Sequence, residues 1–234
     1  MSYHILVTND DGIHSPALRA VEVALSKLGR VTVVAPSRER SATSHCITLD
    51  ETVTYERIAS NQYAVEGTPA DCVIAALSRI LDELPSIVVS GVNQGLNAGE
   101  DIMYSGTVAA ASEAAIHGLP AIAISAAVRN EADYGTAAQV AAHLAARILT
   151  SGLPPDVILN VNCPMPWNQE FRLTRQGRRR SRIQHGNGPM TDIEAIAAGF
   201  VSISPLHINR SFPLEASSWL RDFAVQGGVA SGQS

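Results

Sequence analysis

Asp10 and Asp11 stand side by side in Asn9-Asp10-Asp11-Gly12, directly after the apolar run His4-Ile5-Leu6-Val7-Thr8. Two ionised carboxylates about 4 Å apart repel by roughly 4 kcal/mol at an effective dielectric of 20. A divalent cation removes that cost and favours both ionised forms. Oxygen-bearing neighbours such as Ser41 and Asn93 would suit Mg²⁺, Mn²⁺ or Ca²⁺ better than zinc. The same four residues are also good turn chemistry, since Asn, Asp and Gly favour tight turns and Asp can cap a helix. The pair alone leaves both readings open.

A second chemical feature is Tyr104-Ser105-Gly106-Thr107, which opens a helix. Free N–H groups and the helix dipole favour a phosphate there, and the Ser105 and Thr107 hydroxyls offer further bonds. An ordinary N-cap explains Ser-Gly-Thr equally simply. A third is the stretch Gly91 to Gly99, whose glycines let backbone approach a ligand closely. Within it, Asn93 and Asn97 present neutral oxygens and amides. His14 and His45 fall in loops beside these features.

These groups need a frame. His4–Thr8 has the composition of a buried strand. Ser15-Pro16 opens a helix, with Leu18, Val21, Leu25 and Leu28 at helical spacing and Gly29 as its stop. Val31–Ala35 is a second strand, ended by Pro36. Cys46–Tyr55 and Gln62–Val65 have the character of short β segments, a hairpin on a sheet edge. Thr68-Pro69 repeats the cap-then-proline device, with Asp71 in the capping-box position and a helix to about Leu81. Further strands are expected at Ile87–Ser90, Ala121–Ser125 and Val157–Val161. Helices are expected at Thr107–His117 and Glu131–Leu149. Alternating β and α predicts right-handed crossovers and a mostly parallel central sheet. The rhythm changes after Asn162. The expected layout is an α/β core over 1–163 and a C-terminal appendage over 164–234, with an extended stretch at Phe171–Thr174, a short helix at 192–198, a strand at 200–204 and a frayed end at 227–234. In such a sheet ligands sit at the carboxyl ends of the strands. Those ends carry Asn9–Gly12, Pro36–Ser41 and Ser90–Gly95.

Composition narrows the function. Of the 234 residues 46% are hydrophobic and 17% charged, which suits a buried sheet covered by helices. The formal net charge of −5 argues against a nucleic-acid surface, and the basic run Arg178-Arg179-Arg180 with Arg182 has the character of a solvated loop. Three scattered cysteines with no CxxC spacing argue against a disulfide framework or zinc-thiolate site and point to a reducing compartment. A strand begins within a few residues of Met1, so no signal peptide is expected, and the most apolar stretch, Leu119–Val128, is too short to span a bilayer. A cytoplasmic protein without membrane contact is the expectation. A phosphorelay receiver would need an aspartate where Ser90-Gly91 stands. A dehalogenase-type phosphatase needs Asp-x-Asp, and a dinucleotide enzyme needs G-x-G-x-x-G where only Gly12 occurs.

Several stretches together resemble the SurE family of survival proteins, which are metal-dependent nucleoside monophosphate phosphatases. They are Asn9–Gly12, Val34–Ser41, Gly67–Cys72, Val89–Asn93 and Tyr104–Val108, in the family's order, with similarity continuing through Gly199–Leu206. The resemblance implies a Rossmann-like three-layer α/β sandwich and a homodimer or homotetramer joined through the C-terminal segment. It implies one divalent cation per subunit held by Asp10, Asp11, Ser41 and Asn93. Substrate would contact Asn9, Asn97, Ser105, Gly106 and Thr107, and Asp10 or Asp11 would orient or deprotonate the water. The implied activity is that of a 5'-nucleotidase, with 3'-nucleotidase and exopolyphosphatase activity as possible extensions. A non-catalytic nucleotide or phosphate sensor on the same site is the alternative. Two departures stand out. Cys46 stands where the family usually carries a serine, and the stretch between Arg182 and Asp192 is shorter than the family's usual long hairpin.

Overall fold

The computed structural model describes residues 3–179 and 188–211. The tail at 227–234, Arg180 and Arg182 of the basic run, and much of the shortened 182–192 stretch lie outside them.

Nine strands form one sheet in the order β3-β4-β2-β1-β5-β6-β7-β9-β8. They are β1 (Tyr3–Thr8), β2 (Gly29–Pro36), β3 (Tyr55–Ala59), β4 (Gln62–Val65), β5 (Ile87–Gln94), β6 (Ala121–Ala126), β7 (Val157–Cys163), β8 (Phe171–Leu173) and β9 (Val201–His207). All neighbours pair in parallel except β3 with β4 and β7 with β9. Helices α1 (Pro16–Leu25) and α4 (Glu131–Ser151) cover one face, with Val21, Leu25, Ala141 and Leu144 packed on Ile5, Val7, Val89 and Ile124. Helices α2 (Pro69–Ala75) and α3 (Gly106–Ile116) cover the other, with Cys72, Val73, Ala110 and Ala114 packed on Leu6, Val88 and Ala123. A short α5 (Asp192–Ala197) lies beside β9. The central strands are buried on both faces, which is why they are continuous apolar runs without alternation.

Four element boundaries differ from the sequence pattern, each for a physical reason. Helix α1 ends at Leu25, and Gly29 opens β2 instead of stopping the helix. A Cβ at Gly29 would sit 2.2 Å from the Tyr3 carbonyl oxygen, so its glycine serves the close approach of β1. Residues 46–54 form no strand. The Thr68 hydroxyl donates to the Cys46 carbonyl, and Thr48 donates its N–H and hydroxyl to Asp71, which fastens this stretch over the start of α2. The edge hairpin instead begins at Tyr55. Strand β5 continues past Ser90 to Gln94, with an irregularity opposite β6 between Ser90 and Asn93. Strand β9 runs on to His207 along β7. The capping predictions hold at α2, where Thr68 and Asp71 form a reciprocal box. The α2 path also reaches Ile80 as expected, but its last turn, Ala76–Ile80, is wound as a π-helix. Residues after 164 add β8 and β9 to the same sheet.

Candidate active site

The chain runs from β1 outward to β2, then returns to place β5 on the other side of β1. In an open α/β sheet the crevice forms where the strand order reverses, outside the carboxyl ends. Asp10 and Asp11 follow β1 at that point. Ser41 lies beyond β2 and Asn93 near the end of β5, the two strands that flank β1.

The turn after β1 is built by Asn9. Its fully buried amide donates Nδ2–H to the Gly12 carbonyl and accepts the Gly12 N–H at Oδ1. Both ends of the Asn9 side chain thus hold the turn and with it the carboxylate pair, and one N–H and one lone pair of the amide remain beyond these two bonds. Gly12 has φ +99°, and a Cβ there would meet the Arg38 carbonyl carbon at 3.1 Å, because the loop after β2 packs against it. That loop is tied on by the Arg40 N–H, which donates to the Asp10 carbonyl at 2.7 Å.

The two carboxylates have different surroundings. Asp10 is 3% exposed and turned to the start of α3. Thr107 donates its hydroxyl to Asp10 Oδ1 at 2.7 Å and its N–H to Oδ2 at 3.2 Å. Gly106 makes room for this contact, since a Cβ there would lie 2.9 Å from the Asp10 Cβ. Thr107, expected at a phosphate, spends these donors on a carboxylate of the protein itself. Ser105 acts as N-cap, its Oγ accepting the Val108 N–H. Asp11 is half-buried, and its carboxylate takes no hydrogen bond among the described residues.

Both acids are pushed up from the ordinary carboxylate range. For Asp10 burial is the main cause, opposed by the Thr107 bonds and reinforced by the Glu39 charge. Asp11 is pushed up to about 7, by burial first, then by the charges of Asp10 and Glu39. The loop residue Glu39 is therefore part of the site, although the sequence pattern did not single it out. It accepts the Ser41 hydroxyl proton at 2.8 Å, which leaves the lone pairs of Ser41 Oγ available. Asn93 donates Nδ2–H to the Gly95 carbonyl at 2.8 Å, which leaves its Oδ1 available.

Asn97 is held from β6 and β7. Its N–H donates to Asn162 Oδ1, its carbonyl accepts from Asn160 and Asn162, and its Nδ2–H donates to Ser125 Oγ. These anchors are separated from Asn97 by up to 65 residues, and no local pattern announces them. On the opposite flank Tyr134 of α4 donates its hydroxyl to Gln94 Oε1 at 3.1 Å, and burial followed by the Asp11 charge raises the Tyr134 phenol.

A cavity of about 780 Å³ opens nearby, but along the outer face of α3, lined by Ser105, Val108, Glu113 and parts of β9. Asp10 and Asp11 do not line it, and Thr107 lies on the opposite side of the helix. Among the described residues no three or more His, Cys, Asp and Glu are grouped to hold a metal ion. A cation here would rest on two carboxylates completed by neutral oxygens.

The layered sheet and the acidic crevice at its reversal point define a Rossmann-like α/β protein with a candidate cation and phosphate site. The profile of the family described as survival protein SurE matches residues 5–183, and the chain belongs to that family. It is 44% identical over 231 residues to a protein of Pelobacter propionicus called 5'-nucleotidase SurE, covering 88% of this chain and 94% of that one. A protein of the same name from Geobacter sulfurreducens is 45% identical, covering 88% of each. Among solved structures, the SurE protein of Aquifex aeolicus superposes with a TM-score of 0.86 at 35% identity, covering 94% of this chain and 99% of that one.

Proposed function

We propose that the protein is a metal-dependent 5'-nucleotidase that hydrolyses nucleoside monophosphates at the Asp10–Asp11 crevice. The observation that carries this reading is the pairing of two adjacent carboxylates, one buried and one half-buried and neither matched by a cationic side chain among the described residues, with a helix start at the reversal point of the sheet. The relatives named 5'-nucleotidase supply the substrate class. The donor set fits an oxygen-loving cation, Mg²⁺, Mn²⁺ or Ca²⁺: Asp10, Asp11, the free Oδ1 of Asn93 and the free lone pairs of Ser41. One such ion per subunit would polarise phosphoryl oxygens and lower the pKa of a bound water.

The chain's own groups divide the remaining work. Thr107 fixes Asp10, so Asp10 is the rigid carboxylate. Asp11, whose carboxylate takes no hydrogen bond among the described residues, is the acid placed to orient the attacking water and take its proton. Attack forms the new P–O bond as the ester P–O bond breaks, and the leaving oxygen ends protonated. The first turn of α3 contributes N-terminal dipole and the Gly106 N–H toward the phosphoryl group, beside Asn97. No phosphorylated enzyme intermediate is involved.

We further propose that 164–234 supplies subunit contacts, in a homodimer or homotetramer, to the catalytic core of 1–163. The three cysteines are free, as suits the reducing cytoplasm. No helix among the described residues is long and apolar enough to cross a membrane.

The test is a matrix of metals against substrates: Mg²⁺, Mn²⁺, Ca²⁺ and chelator, with nucleoside 5'- and 3'-monophosphates, polyphosphate and an aryl phosphate. Metal-dependent phosphate release, strongest on nucleoside monophosphates, is expected. Tight nucleotide binding with no release under any metal would make the protein a sensor instead.

A further inference from the structure

Glu113 is a nearly buried acid on α3 that the proposed reaction does not use. Its side chain is 10% exposed. A buried carboxylate is costly unless it is paired. The pairing is with His45, whose Nε2 lies 2.8 Å from Glu113 Oε2, and with His117, the C-cap of the same helix, 3.2 Å from Oε1. The His45 bond is the leading cause that holds Glu113 below the ordinary carboxylate range. His117 is one helical turn away and ties nothing else to α3. His45 is 68 residues away and ties a whole loop to it.

That loop carries Ser41. Ser41 is exposed, and its hydroxyl bonds within its own loop, to Glu39. Ala42 and Ser44 have φ of +57° and +53°, backbone that non-glycine residues adopt only when something outside holds them. The holding contacts close a ring. Arg40 N–H donates to the Asp10 carbonyl, Thr107 of α3 donates to the Asp10 carboxylate, α3 carries Glu113, and Glu113 binds His45. A second tie, the Ser44 N–H to the Tyr104 carbonyl at 3.0 Å, lies beside it. Ser41 sits on the one arc of the ring that has no regular secondary structure.

We propose that His45 is a positioning residue: by clasping Glu113 it fixes the Ser41 loop against the helix that also fixes Asp10. The same clasp thus registers one neutral oxygen ligand against one carboxylate ligand. This rests on the metal site proposed above.

The experiment measures Mn²⁺ binding by calorimetry and by competition with a fluorescent chelator, alongside phosphate release and thermal midpoint. The proteins are wild type, His45→Ala, His45→Gln, Glu113→Gln and Asp11→Asn. His45→Ala is expected to weaken Mn²⁺ about tenfold, the size of effect seen when a support behind a metal ligand is removed. Its kcat should return to the wild-type value at saturating Mn²⁺. His45→Gln keeps an N–H donor and should recover most of the affinity, while Glu113→Gln should lose it without emptying a buried volume. Unchanged Mn²⁺ affinity in His45→Ala and Glu113→Gln overturns the proposal. So does a loss of kcat at saturating metal with affinity unmoved, the mark of a general structural role. Asp11→Asn separates the two levels: if it binds Mn²⁺ like wild type, the metal site itself is misplaced.

Discussion

Asp10 and Asp11 are adjacent in sequence and opposite in circumstance. Asp10 is tied at both oxygens to Thr107, and the Asp11 carboxylate takes no hydrogen bond among the described residues. Without a cation their charges, with that of Glu39, oppose one another. Asp11→Asn removes one of those charges at little cost in shape. Phosphate release should fall by on the order of 100-fold or more in kcat/KM, the scale of losing a group that acts on the transition state. In chelator, however, the thermal midpoint should rise, since a site built for function is seldom optimal for stability. Release assays and thermal scans of the same preparation check both halves, and a lower midpoint in chelator would contradict the repulsion. The pair itself was legible in the sequence, because two adjacent acids after an apolar strand are a local pattern. Glu39 was not, although it stands two residues before Ser41. An irregular loop gives no period from which to read the direction of a side chain.

Elements were legible where periodicity and caps are local. Thr68-Pro69 with Asp71 marked the start of α2, and the apolar runs marked the central strands. The misses came where distant contacts decide the boundary. The sequence pattern ends β5 at Ser90, before Gly91, yet the strand continues to Gln94 and so brings Asn93 to the carboxyl end of the sheet beside β1. Gly91 is what permits this. Its φ is +122°, and a Cβ there would lie 2.2 Å from the Ile124 carbonyl oxygen on β6. Gly91→Ala must therefore push β5 from β6 just below Asn93. It should cost roughly 1–3 kcal/mol, as overpacking does, and about 2–4 °C per kcal/mol in a chain of this size. It should also weaken Mn²⁺ binding, because the displaced residues carry the Asn93 oxygen. Thermal scans and metal titration of the variant test this, and a variant with wild-type midpoint and affinity would show that the close approach is not needed. The Asn160–Asn162 anchorage of Asn97 was hidden for a related reason: it joins strand ends that only the finished sheet brings together.

For the molecule as a whole, the crevice should couple stability to pH and, with the proposed cation bound, to metal. Asp11 has an ordinary carboxylate value of 3.8 when unfolded and about 7 when folded, and Asp10 is raised in the same direction. Between about pH 4 and 7 the pair therefore holds more protons in the folded chain than in the unfolded one. Stability contributed by the protonated pair is present below the unfolded value and is lost as pH rises through the folded one. His4, lowered mainly by burial at the far end of β1, works in the opposite sense up to 6.5. Glu113, lowered through His45, acts only around and below its ordinary value of 4.5. Wild type and Asp11→Asn share His4 and Glu113, so their difference isolates the crevice. In chelator, raising pH from 5 to 8 should lower the wild-type midpoint more than that of Asp11→Asn. A cation bound to the ionised pair reverses the loss. At 100 times its dissociation constant it adds about 2.7 kcal/mol, or roughly 5–11 °C here, and the gain should be larger at pH 8 than at pH 5 because binding displaces protons. Asp11→Asn should show little of it. Parallel pH curves for the two proteins in chelator, with equal shifts on adding Mn²⁺, would place both the proton and the metal elsewhere in the molecule.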